Sequence, residues 1–344
     1  MIPAAASQPH WRTLMEGFVG RRGLIEPKRL RSLSQRSNTR GALQLGSHVG
    51  ALIATGVALH LSWGTLWAVP VFLAHGTLLT FLYAGQHELS HSTVFRTRWL
   101  NEVFGRAIGF LMLYPRDFDQ LQHFAHHRYT QDWTRDGELE RPHYTLPRFL
   151  LWVLGPTYWY SRIRRILRFA AGMVTERYIR ETERPLLIRE ARWHLAGYAV
   201  IAVASVATGS WAAVAYWLAP MMLMKWTHQL QNTVEHFGLT HADDTWINTR
   251  STRTNALMRW VCWNMQYHTA HHTYPAVPFH ALPELNRELV ARIGSEPPSM
   301  TYVAFFWTAI RALSGGRSEA DYPGDVTWVA DPVPARSAAP AAHA

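Results

Sequence analysis

Three short histidine clusters in this chain have the spacing of metal-binding sites. His87 to His91 is an HxxxH, His123 to His127 is an HxxHH, and His268 to His272 is a second HxxHH. Eight of the 19 histidines fall in these three windows. Positions i, i+3 and i+4 share one face of a helix, so each cluster presents its imidazoles on one side. Because neutral imidazole binds zinc, iron, copper and nickel, the pattern predicts a metal site.

The number of imidazoles favours two metal ions. The clusters supply eight, and His236, at the end of the segment Asn232 to His236, adds a ninth. A single zinc takes four ligands, so nine exceed what one ion uses. Two ions with four or five nitrogens each would use the whole set. A pair of sites without thiolate favours iron that reacts with O2, although the spacing leaves the identity of the metal open.

Two other classes compete with this interpretation. The first cluster, HELSH, is also an HExxH, the signature of zinc proteases with Glu88 as general base. That hypothesis leaves both HxxHH clusters without a role. A membrane metal transporter would carry its ligands inside the spans, along a pathway. The clusters here follow the predicted ends of spans instead.

A long uncharged run predicts the first membrane hairpin. The stretch from Gly41 to His87 holds 47 residues without Asp, Glu, Lys or Arg. As one helix it would be about 70 Å long, whereas a span needs about 20 residues. We therefore predict two spans, near 43–63 and 69–87.

A second uncharged run of 32 residues extends from Trp193 to Met224. It predicts spans near 194–208 and 211–231, with Lys225 extending its charge to the membrane surface. The prediction for the fold is an all-α integral membrane protein with four transmembrane helices in two hairpins.

Charge predicts the orientation of these spans. Residues 1–40 hold 8 Lys and Arg against 2 acids, and residues 161–192 hold 9 Arg against 4 acids. The positive-inside rule then places both termini and all histidine clusters in the cytoplasm.

The net charge of +10 fits anionic lipid headgroups, and no nucleic-acid motif accompanies it. We divide the chain into a basic segment, 1–40, a membrane domain, 41–316, and a disordered Ala/Pro-rich tail, 317–344.

Further side chains are candidates for orienting the imidazoles from outside the ligand shell. They are Glu88, Asp132, Asp136, Glu235 and His280. Buried partners of this kind hold the ring nitrogen that faces away from a metal. The second cluster is expected on a helix that begins near Asp117, with Asp119 as a possible cap.

These residues resemble the membrane fatty acid desaturase and hydroxylase family over roughly residues 45–295. The run from His87 to Phe95, HELSHSTVF, is similar to the first box of sphingolipid and bacterial acyl-lipid desaturases. The run from His271 to Pro278 is similar to the HHxxPxxP pattern of the family. The resemblance implies four transmembrane helices beneath a cytoplasmic helical cap that holds a di-iron centre, in a bacterial inner membrane.

The resemblance also implies a ligand set. Members that act on acyl-CoA use nine histidines and an asparagine that holds a water on one iron. The matching positions here are His87, His91, His123, His126, His127, His236, His268, His271, His272 and Asn232. His241 competes with His236 for the ninth histidine position.

The activity implied is an O2-dependent introduction of a double bond into an aliphatic chain, with a fatty-acyl or related lipid as substrate. A hydroxylase or ketolase of the same family and a desaturase of a non-lipid molecule remain open alternatives. Electrons would come from a separate ferredoxin or cytochrome-like donor. The single Cys262 excludes a fused iron–sulfur cluster, and the chain has no dinucleotide GxGxxG motif.

Overall fold

Helices build most of the molecule. The computed structural model describes residues 23–331, and the one sheet in that range is a parallel pair, β1 (Ser251–Thr252) and β2 (Ser299–Met300). In chain order the α-helices are α1 (Pro27–Leu33), α2 (Asn38–Ser62), α3 (Ala68–Ser90), α4 (Arg98–Leu111), α5 (Arg116–Tyr129), α6 (Leu146–Leu154), α7 (Pro156–Ala170), α8 (Arg184–Thr208), α9 (Ala219–Leu223), α10 (Lys225–Val234), α11 (Thr245–Asn248), α12 (Ala256–Val261), α13 (His268–Thr273), α14 (Leu282–Ile293) and α15 (Tyr302–Leu313).

The first predicted hairpin is present as α2 and α3. These helices have 25 and 23 residues, and both are long and apolar enough to cross a membrane. Gly64 lies in the turn between them with a φ of +83°, a conformation that glycine adopts without strain. The hairpin is tied together where the ring of His48 hydrogen bonds to the carbonyl of Leu78 at 2.9 Å. Its other ring nitrogen accepts a hydrogen bond from Nε1 of Trp263 at 3.1 Å, so both nitrogens of this histidine have partners outside the metal site.

The second predicted hairpin differs from its prediction. α8 begins ten residues before the predicted span 194–208, and its first half carries the charges of Arg184 to Arg192. The predicted span 211–231 is interrupted by a π-helical segment, Val214–Leu218, and again at Met224. Within residues 23–331, two helices and not four pass the length and composition test for a span.

Lys225 corrects a second prediction. Its side chain was expected at the membrane surface, but the residue is 0% exposed. Its Nζ lies 3.9 Å from the ring centroid of Tyr158 and 3.0 Å from Nδ1 of His228. Gly155, between α6 and α7, permits this approach, because an added Cβ there would lie 3.2 Å from the Lys225 Cβ. The lysine is therefore enclosed by α7 and does not reach the membrane surface.

The two ends of the chain are described in part. Of the predicted basic segment 1–40, residues 1–22 lie outside the described range, and α1 and the start of α2 follow them. The predicted disordered tail is 317–344, and the structure places its first residues in an ordered segment. Residues 317–331 are described, and Val329 is 0% exposed where it packs on Gly238. Residues 332–344 lie outside the described range.

Candidate metal centre

Four helices bring the nine predicted histidines to one place. His87 lies in the last turn of α3, and His91 is the residue at its C-terminal cap. α5 carries the second cluster near its C-terminal end, and α13 consists largely of the third. His236 follows α10 by two residues and continues its last turn through a backbone hydrogen bond to Thr233.

The imidazoles form two groups, within each of which one ligand atom per histidine lies within 4.8 Å of the others. The five-histidine group contains His87, His91, His123, His127 and His271, and the four-histidine group contains His126, His236, His268 and His272. Every histidine of the predicted set belongs to one of these groups.

Helical geometry explains how one cluster serves both groups. Each residue turns about 100° around a helix, so on the shared face i+4 points about 40° to one side of i and i+3 about 60° to the other side. On α5, His123 and His127 join the five-histidine group and His126 joins the other. On α13 the assignment is reversed, since His271, the i+3 residue, joins the five-histidine group. Each HxxHH cluster therefore contributes to both groups. α5 gives two histidines to the five-histidine group and one to the four-histidine group, whereas α13 gives one and two.

The Nε2 atoms converge within each group. In the five-histidine group, Nε2 of His123 lies 2.9 Å from that of His91 and 2.8 Å from that of His127. In the four-histidine group, Nε2 of His236 lies 3.1 Å from that of His126 and 2.8 Å from that of His268. Nitrogens that each lie about 2.1 Å from a shared ion are separated by roughly 3 Å. The spacing is therefore that of two sets of metal ligands.

Carboxylates hold the opposite ring nitrogens of α5. Asp136 lies 2.9 Å from Nδ1 of His126, and Glu138 lies 3.3 Å from Nδ1 of His123. With the ring proton on Nδ1, each imidazole donates to its carboxylate and keeps the Nε2 lone pair for a metal. The loop after α5 therefore selects the tautomer that metal binding needs.

Two further acids act on the remaining clusters. Glu235 lies 3.4 Å from Nδ1 of His268. Glu88, which is 0% exposed, lies 3.7 Å from Nδ1 of His87 and 3.8 Å from Nδ1 of His271. Its other oxygen accepts hydrogen bonds from the Thr93 hydroxyl and the Phe279 backbone NH. Glu88 is therefore enclosed behind the imidazoles, which argues against a role as the protease base that attacks water.

The electrostatics of the groups favour neutral imidazole. Burial, together with repulsion by neighbouring imidazoles, lowers the pKa of His91, His123, His127, His236, His268, His271 and His272 well below its ordinary value. His126 is the exception. Burial alone would lower its pKa, but the charges of Asp136 and Glu138 raise it to about 9. Neutral rings have the free lone pairs that a metal takes.

Three predicted or possible roles do not match the geometry. The carboxylate of Asp132 accepts from Thr134 and Arg135. The ring of His280 contacts Arg40 through Nδ1 at 3.0 Å. Asp119 does not cap α5, which has Pro115 at that position. Instead, its buried carboxylate accepts hydrogen bonds from Tyr83, Gln86 and Ser90.

Asn232 lies on the wall of two cavities beside the four-histidine group. One has a volume of about 30 Å³, the other about 160 Å³, and His126 and His236 line both. Asn232 and His236 are four residues apart, so they share a face at the end of α10. His241, the competitor, accepts a hydrogen bond from Trp133 at 3.2 Å and belongs to neither group.

Glu138 is the member of the site that sequence reasoning missed. It lies in the polar loop after α5 together with Asp132, Asp136 and Glu140, and nothing in their spacing separates them. The i, i+3 and i+4 spacing of a helix does not apply to a loop. Which of these carboxylates reaches an imidazole therefore depends only on the path of the chain.

The residues present fit metal ions on chemical grounds. Each group offers four or five converging nitrogens, and carboxylates lie against the outward nitrogens of several rings. A transporter would require ligands along a span. Here the groups assemble from the ends of α3, α5 and α10 and from α13, which favours a fixed metal centre.

Comparison with known proteins identifies relatives over most of the chain. A family model described as fatty acid desaturase matches residues 61–304. An sn-1 oleoyl-lipid 12-desaturase of Synechocystis sp. is 22% identical over 299 residues, which cover 80% of each chain. The protein of that name from Arthrospira platensis is 23% identical over 249 residues, 64% of this chain and 67% of the relative. A fatty acid desaturase of Bacillus subtilis is 22% identical over 236 residues, 59% of this chain and 63% of the relative.

Proposed function

This chain belongs to the fatty acid desaturase family, and on that premise we propose that it is an O2-dependent di-iron membrane oxidoreductase. It introduces a double bond into an aliphatic chain, as part of a fatty-acyl or related lipid. The observation that carries this proposal is the assembly of nine imidazoles into two adjoining groups. Family membership itself supports an oxidoreductase, and the pair of groups supports two metals.

Each histidine group would hold one iron. When bound, the two irons would supply, with O2, the oxidant that removes hydrogen from an unactivated C–H bond, a reaction beyond any side-chain base. The protein provides the nitrogens and fixes their direction. Asp136 and Glu138 hold the Nδ1 protons of His126 and His123, so these rings cannot rotate away from the metals.

Asn232 would complete the four-histidine group. That group offers one nitrogen fewer than its neighbour, and Asn232 shares the cavity walls with His126 and His236. We assign its side-chain amide the task of holding a water at the second iron. The amide can donate or accept, so it tolerates a water or a substrate atom at this position.

The substrate reaches the four-histidine group from the cavity of about 160 Å³. The names of the relatives favour a lipid acyl chain as substrate. The cavity wall, however, includes Tyr83, Tyr114, Glu138 and Arg162. This polar lining is the specific observation that supports the second candidate, desaturation of a polar, non-lipid molecule.

We further propose four transmembrane helices with the metal centre on the cytoplasmic side. α2 and α3 form the first hairpin, and the apolar second half of α8 with the interrupted helix from 214 to 234 forms the second. Arginines on α7 and at the start of α8 support this orientation under the positive-inside rule. The same basic surface would dock a separate, acidic ferredoxin or cytochrome-like electron donor.

Product analysis tests the function directly. The full-length protein would be expressed in a bacterial host with a ferredoxin and its reductase, and total lipids and small metabolites compared by mass spectrometry. We expect an O2-dependent product that lacks two hydrogens of its precursor, and its loss in His127→Ala. His143→Ala, a half-exposed histidine outside both groups, should retain the product.

A product that gains an oxygen atom would show that the enzyme is a hydroxylase and not a desaturase. Identical product profiles of the wild type and His127→Ala would contradict the metal centre as the source of activity.

A further inference from the structure

The larger cavity beside the four-histidine group has one strongly basic wall. α7 contributes Tyr158, Ser161, Arg162 and Arg165 to it. The opposite face of the same helix is apolar and lines a separate groove of about 660 Å³, through Ile163, Ile166 and Leu167. α7 therefore turns Arg162 and Arg165 toward the cavity that His126 and His236 line, and Ile163, Ile166 and Leu167 away from it.

Arg162 has aromatic partners and no acid. Its guanidinium carbon lies 3.7 Å from the ring centroid of Tyr114 and 4.7 Å from that of Tyr158. Within residues 23–331, no carboxylate oxygen lies within 4.0 Å of it. Stacking fixes the plane of a guanidinium but leaves its in-plane donors available.

Arg165 is only weakly neutralised. Its Nε lies 3.6 Å from Glu176, a carboxylate that also pairs with Arg168. Its Nη1 is buried without a hydrogen-bond partner in the described part of the chain. Burial, together with the neighbouring charge of Arg162, lowers the pKa of Arg165. Two guanidiniums thus repel each other along one wall.

Lys225 adds a third basic group behind this wall. The residue is 0% exposed, and its Nζ contacts Nδ1 of His228, whose ring lines the cavity. No carboxylate lies within 4.0 Å of this Nζ in the range that the structure describes. A buried lysine without a counter-ion favours its neutral form, and an anion bound nearby would stabilise the protonated form.

The acids near this wall are engaged elsewhere. Asp136 pairs with His126, Glu138 lies against His123, and Glu319 pairs with Arg141. Asp119 accepts from the side chains of α3 described above. Glu140 is exposed and forms no ion pair with either arginine among the described residues. Four of these acids, Asp136, Glu138, Glu140 and Glu319, line the same cavity. None of them lies within 4.0 Å of a nitrogen of Arg162 or Arg165, so both guanidiniums can still bind an anionic ligand.

We infer that Arg162 and Arg165 bind an anionic group of the substrate, a phosphate or a carboxylate, and so place its aliphatic part at the four-histidine group. The inference rests on the proposed function, because it takes the molecule in this cavity to be the substrate. A volume of about 160 Å³ has room for roughly ten water-sized volumes, enough for such a group and several carbon atoms.

Binding of matched amphiphiles tests the inference. Radiolabelled dodecyl phosphate, dodecanoate and dodecanol would be titrated onto the full-length, iron-loaded protein in a neutral detergent, with empty micelles as the blank. We expect at least one of the two anions to bind about tenfold more tightly than dodecanol. Tighter binding of dodecyl phosphate would indicate that the anionic group of the substrate is a phosphate ester. Tighter binding of dodecanoate would indicate a free carboxylic acid.

Two variants and a matched control locate the site. Arg162→Gln and Arg165→Gln should each weaken binding of the preferred anion about tenfold and leave dodecanol unchanged. Arg164→Gln, an exposed arginine on the same helix that does not line this cavity, should bind as the wild type does. Arg162→Lys, which keeps the charge, should retain part of the affinity even if the glutamine variant folds poorly.

Equal binding of dodecanol and both anions, or unchanged binding in both glutamine variants, would overturn the inference. Iron content in the same samples separates this failure from failure of the proposed function. Loss of the anion preference with two irons per chain retained rejects the anion site alone. Anion binding in a protein that takes up no iron rejects the di-iron centre and, with it, the assignment of the anion as substrate.

Discussion

The two histidine groups share their chemistry but differ in their surroundings. All members of the five-histidine group are buried, and His271 is 0% exposed. In the four-histidine group, His236 is half-buried and, with His126, borders the larger cavity. The first group thus has five nitrogens and borders the cavity of about 30 Å³ through His87 and His123, while the second has four nitrogens and borders both cavities. On the proposed function, the four-histidine group, which borders the larger cavity, meets the substrate. The five-histidine group holds the second iron of the pair.

The strongest prediction concerns the group with the smaller ligand set. His236→Ala leaves three imidazoles in the four-histidine group, so we expect iron to fall from two atoms per chain to one and desaturation to disappear. Iron analysis and product assay on the same preparation measure both. Retention of two tightly bound irons would show that His236 is not a ligand.

Removing a ligand from the larger group should have a smaller effect. His91→Ala leaves four imidazoles in the five-histidine group, enough for one metal ion. We expect close to two irons per chain in excess Fe(II), with weaker retention during dialysis against a chelator and a reduced rate. If this variant loses iron as completely as His236→Ala, the asymmetry between the groups is wrong.

The carboxylates should rank in the order of their contacts. Asp136→Asn removes the negative charge that lies 2.9 Å from Nδ1 of His126, so iron affinity should fall roughly 10–100-fold. Glu138→Gln, whose partner lies 3.3 Å away, should lose less. Asp132→Asn, in the same loop but bonded to Thr134 and Arg135, is the control. Chelator competition gives all three values, and equal losses would contradict the ranking.

The smallest effect is expected for Asn232→Ala. Its amide is assigned to a water at the four-histidine group, so both irons should remain bound while the spectrum of one changes. Mössbauer spectra of protein loaded with enriched iron should show one altered and one unaltered site. Unaltered spectra of both sites would remove Asn232 from the metal centre.

Much of the site was predictable because helical spacing fixes it. The i, i+3 and i+4 positions in the three clusters identify eight imidazoles, and the resemblance to the family supplies the ninth, His236. The division of the clusters between groups was not predictable, since it depends on how α5 and α13 face each other. Nor was Glu138, because its position follows from the path of a loop.

The long apolar helices show where sequence reasoning fails. The uncharged run 41–87 predicted α2 and α3 well, because composition and length decide a simple hairpin. The bounds predicted for the two helices of the second run differ from the structure, because packing decides them. A π-helical segment interrupts the fourth predicted span, and α7 encloses Lys225. Hydropathy responds to neither event, since both depend on contacts between distant segments.

The most direct test of the central claim is the metal content and Mössbauer spectrum of the full-length protein, purified in detergent after growth on enriched iron. The account predicts two irons per chain in two distinguishable nitrogen-rich environments, one for each group. A single iron, or one zinc that persists in a His126→Ala, His271→Ala double variant, would contradict it.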